Sequence, residues 1–393
     1  MSTWRGIFGF ACIVLLAVIL GLVLQNLPLV PRFLDPVFKG LDAHLKAPRS
    51  PAVTLHPDYV AGEIPFHGRP TCVRFSPDGA YLAIGTSGAD FDALNGWLII
   101  IETATGKTLH KDQLKERVHW IEFTADGTSL LVVISTRDHL SNPPPFVRIQ
   151  GEAHLFDFPS MKKTHVWKHE RLAWRGSFHP DGKRYLVYLE RNDAEPNEIL
   201  LIDPSDGSST RLATRISSEF VVRKEHDDVV CAGEDSGRRI LMVADTEPVK
   251  MRLSGIEWGF TPLRSTSDGK IAIVDNHEVA VFDWKTKSRV YDCTWIPRDE
   301  RPYRRTWFSA DLSRAIAALP TPRRQINHPA DKLVRIDFKA NRLETLLSTT
   351  DEMELICGDF ASNGLIAVGV SKFKGLHENS PSWYGHVVML RKK

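Results

Sequence analysis

Six times along the chain an apolar strand runs into a turn around Asp or Asn and then a second apolar strand: FSPDGAYLAI, FTADGTSLLV, FHPDGKRYLV, TSDGKIAIV, FSADLSRAIA and FASNGLIAV. A seventh, degenerate copy stands at VRKEHDDVVCAG, where Asp227 and Asp228 hold the turn. Self-similarity at a period of roughly 40 to 50 residues is the signature of a repeat fold, so architecture is constrained before any local argument begins. After each turn comes a companion strand that ends in an acidic residue and a tight turn, as in WLIIIETATGK, AHLFDFPSMKK, EILLIDPSDGS, EVAVFDWKTKS and KLVRIDFKANR. The strands are rich in Val, Ile, Leu and Phe on both faces, as expected where each sheet is covered by two neighbours.

These units resemble WD40-like propeller repeats, and the turns are similar to the PDG-type repeats of the TolB-like group. The Trp-Asp dipeptide of such repeats aligns with Phe156-Asp157, Ile202-Asp203, Phe282-Asp283 and Ile336-Asp337, where the Asp persists and the Trp is replaced. The resemblance covers roughly residues 52–393 and implies an all-β, seven-bladed β-propeller of four-stranded blades around a central channel. Within each unit the strand before the Asp turn is expected innermost. The chain stops after the third strand of the last blade. Residues 52–64, AVTLHPDYVAGEI, are therefore expected to supply the missing outer strand and close the ring, since an unfinished blade would expose a sheet edge.

The N-terminal region is of another kind. After a short tail, residues 1–6, Ile7 to Leu24 is a run of 18 uncharged, mostly apolar residues. As a helix it would span about 27 Å, close to a bilayer core. It lacks a small-residue cleavage pattern and leads into QNLPLVPRF, so the expectation is a single uncleaved transmembrane anchor rather than a signal peptide. The flanking charges, Arg5 against Arg32 and Lys39, nearly balance. The short tail favours an extracytoplasmic propeller, periplasmic in a bacterium. Residues 25–51 are rich in proline and read as a tether. Within them Phe33, Leu34, Val37, Phe38, Leu41 and Leu45 fall at helical spacing, as in a juxtamembrane amphipathic helix.

A net charge of +2 excludes a surface built wholly for nucleic acid, and no specific nucleic acid is expected. Five cysteines show no CxxC pair and no zinc spacing. Cys72 and Cys357 become neighbours if the ring closes, although adjacent inner strands in such rings usually stand too far apart for a disulfide. No GxSxG, HExxH, P-loop or GxGxxG occurs. His165 and His169 fall on a predicted strand and loop, where their spacing does not bring two ligands together. Asp90, Asp92 and Asn95 lack the glutamate and glycine of a calcium loop. No catalytic residue, metal or cofactor is expected.

The copies disagree in the loops after their second strands, and the four longest belong to blades 6, 7, 1 and 2. Long loops on a rigid scaffold are where binding residues concentrate. The segment leading into blade 6 holds Arg298, Arg301, Tyr303, Arg304, Arg305 and Trp307. Nearby loops add Arg323, Arg324, His328, Lys372, Phe373, Lys374, Trp383 and Tyr384. Arginine with aromatic residues is the composition of interface hot spots and of sites for anions. The expected function is a membrane-anchored, non-catalytic scaffold, a monomer that binds a protein or an anionic polymer at this rim. A propeller hydrolase of lactonase type, with a site at the channel mouth, is the alternative, and an architectural cell-envelope component a third.

Overall fold

The computed structural model describes residues 54–88, 95–137, 149–191, 195–214, 216–223, 228–235, 238–244, 251–252, 261–266, 269–274, 279–286, 288–293, 306–319, 332–340, 342–349, 353–373 and 383–393. They belong to a compact unit, Val53–Lys393. The innermost strands are Arg69–Phe75, Arg117–Phe123, Ala173–Phe178, Ile216–Arg223, Thr261–Ser265, Thr306–Phe308 and Met353–Phe360. Each begins an antiparallel sheet that grows outward in chain order. These strands neighbour one another in sequence, and the last packs against the first, which closes a ring around a central channel.

The middle strands of each sheet carry the core. Tyr185–Leu189 and Glu198–Ile202 are buried at every position, whereas the outer strand Ser209–Thr214 is mostly exposed. The repeated turn is held by its own side chains. In the first copy Asp78 Oδ1 accepts from Ser76 Oγ and from the Ala80 N–H (3.0 Å), while Ser76 Oγ accepts the Tyr81 N–H at 2.9 Å. Gly79 supplies the left-handed residue that such a turn requires, at φ 72°. Leu312 occupies that position in FSADLS at φ 53°. Its side chain is fully buried beside Phe308 and Ala315, so packing offsets a backbone cost of about 1 kcal/mol.

The expected architecture is corrected on two counts. Six of the sheets formed by described strands have four strands, but the remaining one has five, so the ring is not a set of seven equal four-stranded blades. Nor does any helix occur among the described residues, and none there is long and apolar enough to cross a membrane. The anchor expected at Ile7 to Leu24 and the tether at 25–51 lie outside the described residues.

The fifth strand comes from the N-terminal segment, which serves two sheets rather than one. Thr54 and Leu55 pair with Ser348 and Leu347 of the sheet that begins at Thr306. A turn through His56 and Asp58 follows, and Tyr59–His67 then pairs with Trp383–Lys392 as the outer strand of the last sheet. The edge strand thus runs over 59–67, not 52–64. Tyr59 is buried between the two sheets, against Leu333, Leu347, Leu355, Val388 and Leu390. One short segment therefore ties the first-formed part of the chain to its last two sheets.

Candidate functional site: the central channel and its loop-rich mouth

Four inner strands share a local irregularity. Their pairing with the second strand slips by one residue at Thr71, His119, Trp174 and Ile356, each standing four residues before the phenylalanine that ends its strand. A bulge re-aims the side chain it carries, and here it does so at the same height around the channel. In two strands the residue after the bulge is a cysteine opposite a glycine: Cys72 faces Gly85 and Cys357 faces Gly369. A Cβ on Gly369 would lie 2.4 Å from the Cys357 sulfur, and one on Gly85 2.6 Å from that of Cys72. Neither thiol is in a disulfide, both are buried, and they fill the space those glycines leave. Burial pushes the Cys72 thiol up to about 12, so it is a neutral packing group.

A cavity of about 1100 Å³ occupies the channel and reaches the Asp turns. One residue from each of the seven inner strands, directly before the strand's last residue, forms a band in its wall: Arg74, Glu122, Ser177, Val222, Arg264, Trp307 and Asp359. Asp359 is buried and central to this band. It accepts from Arg74 at 3.2 Å and from the Phe75 N–H at 2.9 Å, and Arg264 lies 3.7 Å away. Arg264 also donates to the Phe308 carbonyl at 2.6 Å. Burial in the channel pulls its guanidinium below its ordinary value, and the Asp359 carboxylate opposes that pull. Glu122 accepts from Ser177 at 2.7 Å and from the Trp120 indole N–H at 3.2 Å. The indole in turn has the guanidinium carbons of Arg74 and Arg175 each 4.5 Å from its ring centre. Two cations around one indole are a favourable but closed arrangement, with its polar edge already used.

The other end of the channel, away from the Asp turns, is built differently. Arg69, Arg117 and Glu354 each stand six residues before the terminal phenylalanine of their strand, and the three strands are consecutive around the ring. Arg69 donates to Glu354 at 3.1 Å. Arg117, on the far side of Arg69, has no hydrogen-bond or ion-pair partner among the described residues, and its Nε is shut off from solvent without an acceptor. Burial and the neighbouring Arg69 charge lower its affinity for its proton. The bulged His119 lies below and packs against Trp174 with ring centres 4.3 Å apart and the planes tilted by 60°. Burial, helped by the Arg117 charge, holds His119 down at about 3, so it is neutral. Trp174 is 37% exposed, and its indole N–H donates to Glu190 at 2.8 Å, which fixes the ring in place.

The wall beside Trp174 is rigid because a buried arginine staples it. Arg171 donates to the Glu190 carbonyl at 3.1 and 2.9 Å, and pairs with Glu195 at 3.2 Å and with Glu198. A charge with this many partners holds structure and is not available to a ligand.

Of the residues singled out from sequence, Trp307 lies in the channel band. It packs on Gly358, where a Cβ would meet its ring at 3.0 Å. Lys372 pairs through the backbone with Tyr384, and Phe373 with Trp383, at the loop-rich end of the last sheet. Arg298, Arg301, Tyr303, Arg304, Arg305, Arg323, Arg324, His328 and Lys374 lie outside the described residues. His165 and His169 sit on one strand, Lys162–His169, whose rise puts them about 13 Å apart along its axis. His56, Asp58 and Glu344 come close enough to surround an ion. Glu344, however, is already paired with Arg335, and His56 Nδ1 accepts the Asp58 N–H, so these groups hold the N-terminal turn.

The sequence reading passed over Arg74, Arg117, Trp120, Trp174, Arg264 and Asp359. Counting back from the terminal residue of each inner strand would have found most of them.

No family model matches this chain, and neither does any curated protein. Among solved structures it is similar to the β-propeller domain of Cps50 (Swd1) from Myceliophteria thermophila. The two share 15% identity at a TM-score of 0.58, over 85% of this chain and 99% of that one. At that identity the likeness defines the fold alone, a β-propeller.

Proposed function

We propose that this protein is a non-catalytic interaction scaffold that captures a protein partner at the loop-rich mouth of its channel. Propellers of this type commonly serve as scaffolds. The observation that carries the reading is Trp174. It is one of three large apolar residues exposed among those described, and the other two, Leu109 and Val166, lie on outer strands. Trp174 instead stands on an inner strand, braced by His119 and Glu190. A large aromatic held rigidly and left in contact with water is the kind of side chain that dominates binding energy at interfaces. Arg69 and Arg117 beside it add the other residue type enriched there.

The test is site-specific photocrosslinking in cells, with benzoylphenylalanine in place of Trp174 or, as a control, Val166. A discrete protein adduct is expected from position 174 and not from 166. The same adducts from both positions, or none from 174, would contradict the scaffold reading.

A further inference from the structure

The arginine row at the mouth is out of balance. Going around the ring, Glu354, Arg69 and Arg117 follow one another on three adjacent strands at the same height. Glu354 compensates Arg69, from the side away from Arg117. Of the three side chains in this row, two are cations and one is an anion, and the row is partly desolvated. The surplus charge falls on Arg117, whose Nε already lacks an acceptor. Among the described residues, none beneath it can help. Cys72 is a neutral thiol and His119 is neutral. Removing charge from water without a partner is costly, and proteins rarely keep such a group unless something supplies the partner. Arg117 is only partly buried, so its guanidinium is not sealed from the mouth.

We propose that Arg117 is the anchor for a carboxylate side chain on an acidic peptide of the partner, with Trp174 covering the apolar residue next to that carboxylate. This specifies the partner at the site proposed above and so rests on that reading. The charge count selects the ligand. A carboxylate brings one negative charge and two oxygens, which neutralises the row and matches the guanidinium fork. A phosphoryl group would bring nearly two charges and face Glu354 across Arg69. The exposed Trp174 ring packs on the other side of His119, so the segment that fits is acidic with an adjacent apolar residue.

Two measurements test this on the intact protein. The first compares thermal unfolding in sodium acetate, chloride and phosphate at matched ionic strength. Acetate at about 0.2 M is expected to raise Tm by about 1 °C over chloride, because it binds the folded state only. Arg117→Gln and Arg117→Met should abolish that difference, and the two variants guard against one of them failing to fold. No acetate-specific shift in the parent protein, or an equal shift in the variants, would overturn the carboxylate site. A larger Arg117-dependent shift in phosphate would overturn the choice of ligand. The second repeats the crosslinking from position 174 in the Arg117→Gln background, where adduct yield should fall about tenfold. Undiminished yield would overturn the role of Arg117 while leaving the scaffold standing. An Arg117-dependent acetate shift without any adduct in the parent background would do the reverse.

Discussion

The two ends of the channel use the same residue type to opposite effect. In the band near the Asp turns, Arg74 and Arg264 converge on one buried carboxylate, and Arg74 also lies against Trp120. At the loop-rich mouth Arg69 has its carboxylate, but Arg117 has none among the described residues. What an arginine in such a ring does is therefore decided by the strands that face it. Where another copy supplies an acid within reach, the guanidinium holds two strands together across the channel. Where it supplies another cation, the charge is left for something outside the chain.

The comparison breaks first at Asp359. Asp359→Asn removes the charge that Arg74 and Arg264 share, leaving two cations facing each other in a confined space. A loss of about 3 kcal/mol in folding stability is expected, read from denaturant titration. If that variant is as stable as the parent, the band is not the structural half of the channel. A smaller effect concerns His119. Its folded-state value of about 3 lies below the ordinary 6.5, so between those pH values the unfolded chain holds a proton that the folded one does not. Stability is then constant from this group above pH 6.5 and falls as pH drops toward 3, by at most about 1.4 kcal/mol per pH unit. His119→Gln should flatten that part of the acid-unfolding profile. An unchanged slope would mean that His119 is not held neutral beneath Arg117.

Much of the fold was legible because its punctuation is local. Each Asp turn is made by residues within five of one another, and the companion strands follow at regular intervals. The N-terminal stitch was not. A strand of two residues, Thr54–Leu55, carries no pattern of its own, and only the exposed edge at Arg342–Ser348 gives it a place. The channel was hidden for a different reason. Arg74 and Asp359 are 285 residues apart, and each looks like a solitary charge inside an apolar strand. Closing the ring makes them a pair. The shared bulge at Thr71, His119, Trp174 and Ile356 is equally silent in sequence, since four unlike residues occupy it. Attention to the long loops was drawn by their variety, yet the residues that line the channel vary as much from copy to copy and lie one, four and six positions before the end of each inner strand.

The contrast between the two ends can be seen directly in the side-chain Nε–H resonances of arginine, assigned by substitution and followed as acetate is added to the folded protein. The Arg117 signal should move with acetate while those of Arg74 and Arg264 stay fixed, because their acceptors are already in place. A static Arg117, or all three moving alike, would contradict the division of the channel into a holding end and a binding end.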